Sequence, residues 1–190
     1  MEFKLDNIDI MIISALQQDG RMSIRDLGKI VGISHTAIRK RLRKLPIKIT
    51  ALFSKDFIKG IVLVIGRLRS SSNIENILER FYKCPRMIMF ASSGSRTYIA
   101  MMIAEEESVI DCISLDCAIK MIPEAEKVEV YILDRLYIPD YLYLKIPLEV
   151  YDVAPCGRDC LKCRRFREGT CPGCPAVRHY RGCLRSFKVR

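Results

Sequence analysis

Ser23-Ile24-Arg25-Asp26-Leu27-Gly28-Lys29-Ile30-Val31-Gly32-Ile33-Ser34-His35-Thr36-Ala37-Ile38-Arg39-Lys40-Arg41-Leu42-Arg43-Lys44 is the stretch that decides how the amino-terminal region folds. Ser23 stands three residues before Asp26, the spacing of a helix-capping pair. Ile24, Leu27 and Ile30 then recur at helical spacing, so a short helix with one apolar face is expected. Val31-Gly32-Ile33-Ser34 reads as a tight turn followed by a second cap. A further helix runs from about His35 to Lys44, with Ala37, Ile38 and Leu42 inward and Arg39, Lys40, Arg41, Arg43 and Lys44 covering the rest. Two short helices joined by a three- to four-residue turn containing Gly make a helix-turn-helix unit. The second helix of such a unit enters the major groove with its amino end leading. Ser34, His35, Thr36 and Arg39 stand at that end and can donate or accept hydrogen bonds at base edges. Lys40, Arg43 and Lys44 would meet phosphate, fixing register without reading sequence.

On the amino side, Leu5, Ile8, Ile12 and Leu16 give one more helix, with Asp6 as its cap and Asp19-Gly20 as its end. These residues carry a close resemblance. Leu5-Asp6-x-x-Asp9, Gln17-x-Asp19-Gly20-Arg21-x-Ser23, Asp26-Leu27-Gly28, Val31-Gly32-Ile33-Ser34 and Arg39-x-Arg41-x-x-x-Leu45 resemble the leucine-responsive/asparagine-regulator (Lrp/AsnC) family over about forty residues. The resemblance implies a winged helix-turn-helix that binds double-stranded operator DNA as a homodimer or higher even-numbered homo-oligomer. The family usually opens its wing with a glycine after the third helix, whereas this chain has Leu45-Pro46-Ile47-Lys48-Ile49.

The charge follows the same division. Residues 1–50 hold ten Lys/Arg against five Asp/Glu, residues 51–150 hold twelve against fourteen, and residues 151–190 hold ten against three. The net charge of +10 thus sits at both ends, where a nucleic-acid binder needs cations that displace phosphate counterions. No run of about eighteen apolar residues occurs, which argues against a membrane span, and no membrane is expected among the partners. The first six residues lack the apolar stretch of a secretion signal, and the expected location is the cytoplasm.

In the middle, Gly60–Leu68, 86–91, 97–104 and 127–133 read as strands, and 73–82 and 106–121 as helices. The order βαββαβ predicts a ferredoxin-like sandwich of two helices on an antiparallel sheet. It resembles the effector and dimerisation domain that follows the winged helix in the same family. Gly94 falls where that family often has glycine, but Ser95-Arg96-Thr97 replaces the acidic residue that commonly follows, which speaks against an amino-acid effector. Met87, Met89, Met101 and Met102 read as strand packing, and Cys84, Cys112 and Cys117 as small core side chains.

The remaining six cysteines crowd together as Cys156-x3-Cys160-x2-Cys163-x7-Cys171-Pro-Gly-Cys174-x8-Cys183. In a reducing compartment such crowding points to metal before disulfides. Cysteines two residues apart can chelate one centre from a tight turn, and Gly157, Gly173 and Gly182 supply permissive backbone. Arg158, Lys162, Arg164 and Arg165 are expected to lower the thiol pKa values and offset the ligand charge. The expected cofactor is an iron–sulfur cluster, with Cys156, Cys160 and Cys163 as three ligands and a fourth from Cys171, Cys174 or Cys183. Zinc on the pairs Cys160/Cys163 and Cys171/Cys174 is the alternative. The stretch resembles small, poorly characterised cysteine-rich domains. C-x3-C-x2-C is also the spacing of radical S-adenosylmethionine enzymes, but nothing after Cys163 could form their barrel, and no enzyme activity is expected. His179, beside Tyr180 and Arg181, reads as a surface side chain, and the basic tail (Arg178, Arg181, Arg185, Lys188, Arg190) as a solvated end or a further DNA contact.

The expectation is an α+β chain in three parts: a winged helix-turn-helix over 1–56, a ferredoxin-like domain over 57–136, and an arm with the cysteine module over 137–190. Its expected function is transcription regulation, with the cluster sensing redox state, oxygen or iron. A cluster-carrying electron-transfer protein is the alternative of another class.

Overall fold

The structure, a computed structural model, describes residues 5–70, 74–147 and 149–184. It divides into two compact units, Met1–Ala51 and Leu52–Arg190. The cysteine-rich segment therefore packs as part of the second unit, where the sequence suggested a third.

The first unit holds three helices: α1 (Asn7–Gln18), α2 (Ile24–Val31) and α3 (His35–Lys44). Asp6 caps α1 in a reciprocal box with Asp9, Ser23 caps α2 and Ser34 caps α3, as the sequence predicted. Ile12, Leu27, Val31, Ile38 and Leu45 close the core between them. Ile30, expected inward, is instead exposed, and Val31 takes its place. The helix stops at Gly32 in the left-handed region, and the residue just before that turn is the one aimed at the core. Pro46 cannot continue α3, because it has no N–H to give. The described residues between Leu45 and Leu52 form no strand, so no β-hairpin wing follows α3. The first strand of the chain is β1 (Phe53–Ser54), which pairs with β6 (Tyr141–Leu142) in the second unit.

The second unit is built on an antiparallel sheet in the order β3-β4-β2-β5, from β2 (Gly60–Leu68), β3 (Met87–Ser93), β4 (Thr97–Ala104) and β5 (Ala125–Leu133). With α4 (Ile74–Phe81) and α5 (Glu107–Asp111) this is the ferredoxin-like sandwich; Asn73, at the expected start of α4, lies outside the described residues. Val62, Val64, Leu68, Tyr98, Ala100 and Met102 face the helices with Ile77, Phe81, Val109 and Ile113. Gly66 is required by close approach, since a Cβ there would stand 2.0 Å from the Tyr98 ring. Ile61, Ile103 and Leu144 turn toward a second core, shared with Phe166, Val177 and Tyr180 of the cysteine-rich segment.

The expected helix over 106–121 is the largest departure. It runs as α helix only to Asp111, widens to a π turn over Cys112–Asp116, and ends at Cys117 in extended conformation.

Candidate nucleic-acid interface and thiol-lined cavity

α3 presents two unlike sides. Ile38 is fully buried, while Ser34, His35, Thr36, Arg39, Lys40, Arg43 and Lys44 are all exposed. The seven residues singled out for DNA thus share one accessible surface. The Ser34 hydroxyl oxygen accepts the Ala37 N–H at 3.2 Å, so its acceptor role is taken by the cap and its proton remains to be donated. Arg41 departs from the expected solvent-facing row. Its Nη1 donates to Asp6 (2.6 Å) and Asp9 (2.7 Å), tying α3 to the start of α1. These hydrogen bonds hold the Asp6 carboxyl below, and the Arg41 guanidinium above, its usual range. One arginine therefore fixes the helix, and the others stay free of that task.

The second feature is a cavity of about 60 Å³ in the Leu52–Arg190 unit. Its wall carries eight cysteines: Cys156, Cys160, Cys163, Cys171 and Cys174 from the carboxyl segment, and Cys84, Cys112 and Cys117 from the sandwich. Cys183 is not among them. It is exposed, and its N–H donates to Glu106 Oε1 at 3.1 Å. The turn holding Cys160 and Cys163 is a single 3-10 turn over Cys160–Lys162, capped by Asp159 and closed by the Cys163 N–H on the Cys160 carbonyl (3.0 Å). At the other pair, Gly173 takes a φ of 92° and its N–H points at Cys171 Sγ (3.4 Å), a conformation that L side chains rarely adopt. Gly157 also has a positive φ, whereas Gly182 serves by leaving room for the Tyr180 hydroxyl. Among the described residues, no three Cys, His, Asp or Glu side chains converge as the ligands of one ion. The thiols line the wall.

The expected lowering of the thiol pKa values is overturned at Cys160, Cys174 and Cys183, and the sandwich cysteines shift the same way. Burial pushes Cys84 up, Cys117 to about 11 and Cys174 to about 12, and it raises Cys160 as well. Desolvation of a thiolate outweighs the nearby cations. Cys171 shifts the other way. A hydrogen bond from Cys112 draws it down to about 6, and the same bond pushes Cys112 up. Of the four cations expected to help, Arg158 reaches a sulfur, with Nη2 3.8 Å from Cys163 Sγ. Lys162 pairs with Asp159, Arg164 with Glu168, and Arg165 with Asp116. Arg178 and Arg181 of the basic tail are also engaged, on Asp152 and over the Phe166 ring. Arg185, Lys188 and Arg190 lie outside the described residues.

Two residues beside the cavity escaped the sequence reading. Arg86, which lines it, donates through Nε to Glu105 Oε2 at 2.9 Å and through Nη2 to the Gly173 carbonyl at 2.8 Å. Glu105 Oε1 also accepts the Tyr180 hydroxyl at 2.9 Å. Burial alone would raise the Glu105 pKa, but the Arg86 hydrogen bonds prevail and hold it below the usual range. The available signal was their position: one flanks the start of β3, the other the end of the neighbouring β4, so antiparallel pairing brings them together. His179, read as a surface residue, packs edge-on against Phe166, and its Nε2 is buried without a hydrogen-bond partner among the described residues.

Fold and site together define a helix-turn-helix domain followed by a ferredoxin-like α+β domain. Comparison with known proteins agrees. Residues 5–45 match the AsnC-type helix-turn-helix domain, so the first unit is a domain of that type. The HTH-type transcriptional regulator FL11 of Pyrococcus horikoshii is 44% identical over 45 residues, 24% of this chain and 30% of that protein. The Leucine-responsive regulatory protein of Escherichia coli is 33% identical over 82 residues, 40% of this chain and 50% of that protein. The chain thus spans half or less of the length of these curated relatives. Among solved structures, E. coli AsnC superposes with a TM-score of 0.59 at 19% identity, over 72% of this chain and 97% of that one. The Leucine response regulatory protein LrpA of Mycobacterium tuberculosis gives 0.60 at 16% identity, over 74% and 100%. The fold is that of the Lrp/AsnC proteins.

Proposed function

We propose that this chain is a sequence-specific transcription regulator that grips double-stranded operator DNA through α3, as a homodimer or higher even-numbered oligomer. The observation that carries the reading is the single exposed face of seven polar and basic side chains on a helix whose other side is locked into a core. The named relatives are themselves transcriptional regulators. The sheet face opposite α4 and α5 supports pairing of subunits: Leu63, Ile65 and Ile99 are half-buried there, and Met89 and Tyr131 are exposed. Selection from a pool of random duplexes tests the reading. Wild type is expected to enrich a common sequence, and Arg39→Ala to weaken binding to it by about 1–3 kcal/mol while sparing unrelated DNA. A pool that emerges without a shared sequence overturns it.

The sensing part of the proposal places a thiolate-held iron–sulfur cluster on the carboxyl segment, reporting redox state, oxygen or iron to the DNA-binding unit. The five cavity cysteines of that segment are its candidate ligands. A structural zinc site is the second reading, favoured by the presence of both C-x2-C pairs on the same wall. Protein purified without oxygen is expected to be coloured and to contain iron and sulfide. A colourless protein holding zinc alone would leave the regulator in place and remove the sensor.

A further inference from the structure

The cysteines that the sequence assigned to the sandwich core have another role. We infer that Cys112 and Cys117, with Cys84 beside them, complete a polynuclear thiolate metal centre whose other ligands come from Cys156, Cys160, Cys163, Cys171 and Cys174. The inference rests on the metal-binding part of the preceding reading and deepens it, because it moves the centre from one segment to the junction between two.

Three observations carry it. The first is the number of donors. Eight cysteines line one cavity, twice the four that a tetrahedral ion takes; no three of them already meet at one point, so a metal would have to draw them together, and the volume of about 60 Å³, several times what a single water needs, gives room for that. The second is the π turn. In an α helix Cys112 and Cys117 would point about 140° apart, since each residue turns about 100°. A turn closed from i to i+5 brings residues five apart toward one side, and both thiols reach the cavity wall. Such turns are uncommon and concentrate at functional positions. The third is how the junction is held. Arg165 on α6 (Arg164–Arg167) clasps Asp116 of the same π turn at 2.5 Å. The Arg86 guanidinium reaches from the cavity wall to the Gly173 carbonyl. Arg86 and Arg158 line the wall, so part of the negative charge of a thiolate centre is met there. A metal in this cavity fastens the helical layer of the sandwich to the carboxyl segment.

The test uses the full chain, kept free of oxygen and loaded in two arms, zinc alone and ferrous iron with sulfide. Metal per chain is then counted after removal of the excess. Wild type is expected to hold more than one metal ion in at least one arm. Cys112→Ser and Cys117→Ser each lose metal to a competing chelator about tenfold more readily or worse. Cys183→Ser, outside the cavity, keeps the wild-type content. Hydrogen exchange on the loaded wild type avoids any folding defect of the variants: metal should slow the amides of 112–117 together with those of 156–174. If metal binds but protects 156–174 alone, and Cys112→Ser retains it fully, the centre belongs to the carboxyl segment and the shared site is refuted. A wild type that retains no metal in either arm refutes the underlying metal reading too, whereas DNA binding by α3 is scored separately.

Discussion

α3 and the thiol-lined cavity are opposite kinds of site. The helix surface is made by ten consecutive residues, and its function follows from which side of a 3.6-residue period faces out. The cavity gathers residues from Cys84 to Cys174, and its chemistry exists only after the sandwich and the carboxyl segment have packed. One site is built by local geometry and carries its polar groups in water. The other is built by tertiary packing and carries thiols that burial keeps mostly protonated. A substitution that loosens the packing of one should therefore leave the packing of the other intact, which can be checked in order of expected effect.

The largest effect is expected at the buried ion pair that backs the cavity. Glu105→Ala leaves Arg86 buried without its partner, which costs about 3–5 kcal/mol. In hydrogen exchange, amides of β3 and β4 should lose protection while those of α1 to α3 keep it. The same pair gives a pH signature. The Glu105 pKa is lowered in the fold from an ordinary value of 4.5, so its contribution is fully present above that pH. It is lost as the pH falls through the lowered value, and Glu105→Gln should remove this acid-limb dependence from urea titrations. Next comes Arg39→Ala, at about 1–3 kcal/mol of operator affinity with no change in the metal content of the protein. Ser34→Ala removes the cap of α3 and is expected to cost about 1 kcal/mol of stability. Ser34→Asp keeps a capping acceptor but sets a carboxylate before the DNA, so stability should survive in thermal melts and DNA binding should fall. The smallest effect is Lys44→Ala: a uniform weakening across DNA sequences, with the salt slope of binding reduced by about one.

What could be read from the sequence follows the same contrast. The caps Asp6, Ser23 and Ser34 and the strands Gly60–Leu68 and Thr97–Ala104 were legible because each depends on neighbours in the chain. The exposure of the seven residues on α3 and its cap was legible for the same reason, though the place of Arg41 was not, since Asp6 and Asp9 draw it away from its row. The place of Cys84, Cys112 and Cys117 on the cavity wall was hidden. Their apolar surroundings are those of any core cysteine, and a continuous helix over 106–121 places Cys112 and Cys117 on different faces. Only the π turn over Cys112–Asp116 brings them to one wall. Spacing alone counted Cys183 among the ligands, while in the fold it is exposed and lies outside the cavity lining. Among the described residues no hairpin follows α3, where the sequence has Leu45-Pro46 in place of the glycine that the resemblance led one to expect.

The most direct test of the central claim, that α3 lies in the major groove, is chemical protection of guanine N7 in a selected duplex. The account predicts protected guanines in two half-sites, one helical turn (about 10 bp) or a multiple apart, with protection lost in Arg39→Ala. Unprotected guanines under saturating protein, or protection that Arg39→Ala leaves intact, would contradict it.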